Sequence, residues 1–374
     1  MEINGHTPGD LQALLQLIND DGSSLSLKKV TAGFDGFVDT IVKIIRDKQP
    51  GQPAMMFSNI DEFGSYIKGK SGTGFSLELE ERTVKLGGNM PIMCNALGTL
   101  GVATNCIGAF GFPRPHFVFE TLSSKCNIYS FTNPGTSTAI EFQDGKMILG
   151  QMDTLHQAGW EKIKDTIGLS NLVDLFKESD LLTIVNWAEI DASTAIWKGV
   201  LTEVLPAYET NEKQPIFFDL SDLSKRSRAE ILEAIELIKK FSQWAYTILG
   251  LNQNEAKLIY STILEEEPNS DLKILGEILF NQLRPGILVL HSTRQSFAYD
   301  DLGTYHCNSF FVEDPKISTG AGDNFNAGFC AGLLLKAGPN NSLLLASAVS
   351  ALYVANGASP HINEVISLLE NHIK

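Results

Sequence analysis

A chain of 374 residues with 43% hydrophobic and 9% aromatic content can build one large or two medium folded units, and it lacks the polar bias of a disordered segment. Its 44 acidic against 29 basic residues give a formal charge of −15, which argues against broad binding to nucleic acid or anionic membrane, since no Lys/Arg cluster relieves it. No apolar run approaches the roughly 18 residues of a membrane span. Residues 1–10 lack the regions of a secretion signal, so a cytoplasmic protein is expected. Cys94, Cys106, Cys126, Cys307 and Cys330 form no Cys-x-x-Cys pair and mostly sit among small or apolar neighbours, as reduced buried thiols do. The histidines show no ligand spacing, so no structural metal is indicated.

In chain order, Leu11, Leu14, Leu15 and Ile18 recur at helical spacing and predict a leading helix, read as a peripheral addition. Residues 30–34 read as a buried strand running into Asp35-Gly36-Phe37-Val38-Asp39, with alternation over 40–45. Two carboxylates at a strand end cost more to place than two in a loop. Asp35 and Asp39 are therefore site candidates, set against the plainer reading of solvated turn residues. Gly64-Ser65-Tyr66-Ile67-Lys68-Gly69-Lys70-Ser71 satisfies the phosphate-loop pattern G-x-x-x-x-G-K-[ST]. Its context opposes that reading: Ile60, Phe63 and Ile67 are spaced as on a helix, and no buried strand precedes them. The weaker version is that Lys70 and Ser71 meet a phosphate from a mobile loop.

Lys85-Leu86-Gly87-Gly88-Asn89 then opens a small-residue helix that ends at Leu100-Gly101, before a strand over 104–109. A Gly-Gly pair at a helix start lets backbone approach a ligand closely, although helix packing explains small residues equally well. Residues 136–142, Asp144-Gly145 and 147–149 read as a hairpin. From Trp160 onward strands and helices alternate, which implies a mostly parallel sheet covered on both faces. Asn252-Gln253-Asn254-Glu255 follows a strand and reads either as a capping box or as a site where one carboxylate and an amide anchor hydrated magnesium. Finally Phe310-Phe311-Val312 reads as a short strand before the turn Gly320-Ala321-Gly322-Asp323 and a helix through Phe325, Phe329 and Leu333. The two glycines leave first-turn N–H groups free to converge on an anion. Asp323 beside such a pocket is placed to deprotonate an alcohol attacking a phosphoryl group.

Ser318-Thr319-Gly320-Ala321-Gly322-Asp323-Asn324-Phe325 resembles the C-terminal signature of the ribokinase-like (PfkB) carbohydrate kinases, and the Gly87-Gly88 segment resembles their N-terminal signature. The resemblance implies an α/β fold with a mostly parallel sheet, helices on both faces and a small β-lid. It implies one such domain over 1–374, with lid strands from about 37–46, 76–86 and 136–150. The stretch 47–75 exceeds a simple lid and leaves room for a helix. The implied activity is ATP-dependent phosphorylation of a sugar hydroxyl, with ATP, Mg2+ and the sugar as the small-molecule partners and a homodimer through the lid allowed. By the same resemblance Asp323 is the general base, and Gly320, Ala321 and Gly322 form the anion hole. Asp35, Asp39, Gly87, Gly88 and Asn89 bind substrate, and Asn252 and Glu255 organise magnesium, mostly through water. Three positions depart from the family pattern: Ile92 in place of Asn, His291-Ser292-Thr293 in place of Thr-x-Gly, and Ile317 in place of Asp. They favour the alternative of a catalytically silent relative that binds sugar or nucleotide as a sensor. The intact Asp323 and Asn-x-x-Glu favour the kinase.

Overall fold

The computed structural model describes residues 7–209 and 213–373. Helix α1 (Pro8–Asp21) starts at a capping box between Thr7 and Asp10 and buries Leu11, Leu14 and Ile18. These side chains join the main core, and the helix packs on the last two helices of the chain, so it is an integral element and not a peripheral addition.

The chain continues through β1 (Lys29–Gly33), β2 (Phe37–Asp47), β3 (Met55–Met56), α2 (Ile60–Gly69), β4 (Glu78–Gly87) and α3 (Asn89–Thr99). Next come β5 (Ala103–Gly108), β6 (Cys126–Ser130), β7 (Gly135–Glu141), β8 (Lys146–Gln151), α4 (Asp153–His156), α5 (Trp160–Ile167) and α6 (Leu169–Lys177). The middle holds β9 (Leu181–Ile184), α7 (Ser193–Gly199), β10 (Pro215–Asp219), α8 (Arg228–Phe241), β11 (Tyr246–Asn252), α9 (Gln253–Leu264) and α10 (Leu272–Leu283). The last third holds β12 (Ile287–His291), β13 (Gln295–Asp300), β14 (Gly303–Asn308), α11 (Ala321–Leu334), α12 (Gly338–Asn356) and α13 (Ile362–Ile373).

Nine strands form one sheet in the order β14-β13-β12-β11-β10-β9-β1-β5-β6, antiparallel only where β13 and β14 turn back at one edge. Parallel neighbours need crossovers, and those crossovers become the helices that cover both faces. One face packs against α1, α3, α11, α12 and α13, and the other against helices α5 to α10. Burial on both faces explains why β9, β10 and β12 read as apolar runs without alternation.

A second sheet of five strands joins β3-β2-β7-β8, with β4 also on β2. Val42, Ile44 and Ile140 on one of its faces pack under Phe57 and Phe63, so helix α2 closes that face. The phosphate-loop pattern falls on this helix: Gly64 and Gly69 are within its span, Lys70 is its C-cap, and the Lys70 ammonium rests 5.3 Å over the Tyr66 ring. The pattern therefore does not form a strand-to-helix phosphate turn.

Residues 310–312 also differ from expectation. Phe310 is buried and donates its N–H to Ser347 Oγ, while Phe311 makes only an isolated bridge, because the chain here leaves the sheet edge to cross α12.

Candidate active site

The carboxyl ends of β1, β9, β10, β11 and β12 face the starts of α3 and α11, the place where open α/β sheets bind ligands. At the start of α11, Gly320 has φ +89°, a conformation that costs a side chain about 1–3 kcal/mol. A Cβ at Gly320 would also sit 2.7 Å from the Tyr353 hydroxyl oxygen. That hydroxyl donates to Thr319 O at 2.9 Å, and Ser350 Oγ donates to Ala321 O at 2.9 Å, so α12 fixes the turn from behind. The Ala321 N–H is used by Ser318 O, but the Gly322 N–H has no acceptor among the described residues. Asp323 follows in the first turn and is half-buried.

Three other strand ends bring polar groups to the same place. Asn252 caps α9 in a reciprocal box, taking the N–H groups of Asn254 and Glu255 while its own N–H reaches Glu255 Oε2 at 2.9 Å. The capping reading is thus realised, and the same two side chains also line a cavity. Asp219 ends β10 and accepts from the Ser221 N–H at 2.8 Å and from Asn326 Nδ2 at 2.7 Å. His291 ends β12 opposite Asn252 and stacks on Phe325 with ring centroids 4.8 Å apart. A cavity of about 600 Å³ is lined by Asn89, Asp219, Asn252, Glu255, His291 and Asp323. A second, of about 680 Å³, shares Asn252, His291 and Gly322 and runs out to Arg294, Phe311 and Val354. At its mouth the Arg294 guanidinium lies 4.6 Å over the Phe311 ring.

The electrostatics follow from burial of like charges. Desolvation first, then Asp219 and Asp35, raises the Asp323 carboxyl well above the usual range. Glu255 moves the same way for the same first cause, with Asp219 next. Burial pushes Asp219 up to about 6 and pulls His291 down to about 4, so this imidazole is neutral near pH 7. Clustered carboxylates with unmet charge, beside a free first-turn N–H, suit an anion that arrives with a divalent cation. Among the described residues no group of three or more His, Cys, Asp and Glu side chains is placed to hold a metal directly.

Across the cleft, α3 starts at Gly88, which has φ +93°. Asp35 is fully buried beneath this turn: Oδ1 accepts the Met90 N–H at 2.9 Å, Oδ2 takes the Asn186 amide, and burial raises the carboxyl to about 7. A Cβ on Gly88 would lie 2.6 Å from Asp35 Oδ2, and one on Gly87 would lie 2.5 Å from Asp39 Oδ2. Each glycine of the pair therefore makes room for one of the two carboxylates. Asp39 is half-buried and is held by the Ser137 hydroxyl at 2.6 Å.

Ile92 approaches the Gly320 turn, its Cγ2 being 3.3 Å from where a Gly320 Cβ would be, so packing replaces an amide there. Of the two asparagines that stand near it in sequence, Asn89 lines the acidic cavity, whereas Asn95 is occupied by the Ser123 N–H. Ile317 donates its N–H to Val354 O and joins the loop to α12 through backbone alone. Residues that sequence reasoning passed over are Asn186, Asn326 and Asp222. Asn186 had a signal: a polar amide directly after the largely apolar run 181–185.

A family model described as prokaryotic ketohexokinase matches residues 13–372. A ketohexokinase of Haloferax volcanii is 24% identical over 355 residues, covering 92% of each chain. Among solved structures, Thermotoga maritima ribokinase superposes with a TM-score of 0.60 at 17% identity, covering 92% of this chain and 99% of that one. Arabidopsis thaliana ribokinase, complexed with ribose and ATP, gives 0.63 at 15% identity over 92% and 98%. A putative ribokinase II of E. coli with ATP and Mg2+ gives 0.61 at 15% identity over 92% and 99%. These structural likenesses establish the fold.

Proposed function

We propose, from the premise that the chain belongs to the prokaryotic ketohexokinase family, that this carbohydrate kinase transfers the γ-phosphoryl group of ATP to a hydroxyl of a ketohexose, with Asp323 as general base. What carries the reading is the meeting in one cavity of Asp323, the unclaimed Gly322 N–H and the Asn252–Glu255 pair, with the larger cavity leading away from them. Asp323 takes the acceptor hydroxyl proton as its oxygen bonds to the γ-phosphorus. The bond to the β–γ bridging oxygen breaks, and its electron pair leaves with ADP. The unclaimed Gly322 N–H, in the turn that Gly320 and Ala321 build, faces the charge spread over the transferring group. Asn252 and Glu255 would hold Mg2+, mostly through water, and the ion would supply charge neutralisation between phosphates.

The acceptor lies between the two glycine turns in this reading. Asp39 and Asn89 meet its hydroxyls, the Gly87-Gly88 backbone lets it come close, and Asp35 acts from beneath. The small sheet excludes water, which otherwise competes as phosphoryl acceptor. If a second copy docks on that lid, the registered row Ile41, Ala139 and Ile148 lies on the face opposite the one α2 covers.

The test is ADP release from ATP and Mg2+ over ketohexoses, aldohexoses, pentoses, sugar acids and nucleosides, with Asp323→Asn alongside. Ketohexose-dependent release, reduced about 100-fold or more in the variant, is expected. Full turnover in the variant would remove Asp323 as base. Nucleotide binding without release for any acceptor would favour the silent sensor.

A further inference from the structure

The carboxylate under the Gly87-Gly88 turn is itself held by a residue in an unusual backbone state. Asn186, just beyond the end of β9, has φ 62° and ψ 42°, a left-handed conformation uncommon outside glycine. It is 1% exposed, its Nδ2 donates to Asp35, and its Oδ1 has no hydrogen-bond partner among the described residues. The amide orientation is therefore set from one side only, through the donor on Asp35. A free loop would relax such a residue to an ordinary conformation and withdraw the amide.

The loop is not free, and the reason lies in a different segment. Arg226, between β10 and α8, has a side chain only 9% exposed and lies 5.0 Å over the Trp187 ring. Its Nε donates to Ala188 O at 3.0 Å, and its Nη2 donates to Trp187 O at 3.3 Å and to Ile190 O at 2.5 Å. Nη1 reaches Glu230 at 3.0 Å. Burying a guanidinium is costly, and here most of its donors go to three carbonyls of the one turn that follows Asn186. Lysine cannot reproduce this, because an ammonium lacks the planar fork that spans several carbonyls at once.

We propose that Arg226 is a positioning residue for the acceptor site: it clamps the turn at residues 187–190 and thereby holds the Asn186 amide on Asp35 beneath the Gly87-Gly88 turn. This inference rests on the reading above that the Gly87-Gly88 side of the cleft takes the ketohexose. Arg226 touches neither Asp323 nor the Asn252–Glu255 box, so its effect falls on acceptor affinity and spares the nucleotide.

The test uses the full chain with D-fructose as acceptor probe and a non-hydrolysable ATP analogue as nucleotide probe, both titrated by calorimetry. Arg226→Lys is compared with Asn186→Gly, which keeps the left-handed backbone and removes only the amide. Each variant is expected to weaken D-fructose binding about 10-fold while nucleotide affinity stays within about twofold. The double variant should be no weaker than either single one, since both break the same chain of contacts. If Arg226→Lys is too unstable to purify, Arg226→Gln, which retains two donors, takes its place. Unchanged D-fructose affinity in folded variants, equal loss for both probes, or fully additive losses would overturn the inference. A wild-type protein that binds neither D-fructose nor any other ketohexose would instead sink the proposed function, and this inference with it.

Discussion

Two helix starts face each other across the cleft and are built alike, yet only one is closed. Both α3 and α11 begin after a glycine in the left-handed region, Gly88 at φ +93° and Gly320 at φ +89°, and the two helices pack together. At α3 the chain supplies its own anion, because Asp35 takes the Met90 N–H from a fully buried position. At α11 the Gly322 N–H has no acceptor among the described residues, and the nearby carboxylates are pushed up by burial and mutual repulsion. A helix N-terminus filled by an internal carboxylate is scaffolding, whereas one left open is prepared to receive charge from outside. The difference is what the proposed function draws on in giving phosphate to the α11 side and the acceptor to the α3 side.

Breaking the open end should have the largest effect. Asp323→Asn is expected to lower kcat about 100-fold or more, with both ligands still bound in calorimetry. Gly320→Ala adds a Cβ to a strained position against the Tyr353 hydroxyl. It should cut nucleotide affinity about 10-fold and lower the melting temperature by roughly 2–6 °C. At the closed end, Asp35→Asn removes the internal anion. It should weaken acceptor binding about 10-fold with little change in nucleotide affinity, and a reversed pattern would collapse the contrast.

A smaller effect concerns pH and stability. Asp35 and Asp219 are raised in the folded state to about 7 and about 6, so the native protein binds more protons than the unfolded chain between the ordinary carboxylate range and those values. Their contribution to stability is present at low pH and is lost as pH rises through 6 to 7. The melting temperature should therefore fall between pH 5.5 and pH 8, and Asp35→Asn should flatten that slope. The smallest expected effect is at Lys70, which caps α2 on the small sheet. Lys70→Ala should leave nucleotide affinity within about twofold, and a large loss would revive the phosphate-loop pattern.

Legibility followed the range of the interactions. The Gly320 to Asp323 turn, the Gly87-Gly88 helix start and the Asn252–Glu255 cap were readable because each is a local arrangement in which a few consecutive residues set both backbone and chemistry. Their order along the chain also pointed to the family. The misread pieces were those whose state depends on distant partners. The leading helix looked peripheral until α12 and α13 were seen to cover it, and residues 310–312 looked like a strand until the sheet ended before them.

The sequence by itself thus determined the class of fold, the alternation that makes the parallel sheet, and the local turns that hold carboxylates beside helix starts, because periodicity and turn chemistry act over a few residues. Only the tertiary structure decided which helix start is plugged and which is open, since that depends on Asp35 meeting Met90 and Asn186, 55 and 151 residues away. The same holds for the clamp from Arg226 to the turn after Asn186, where buried donors and acceptors are matched across the fold and no local pattern records the pairing.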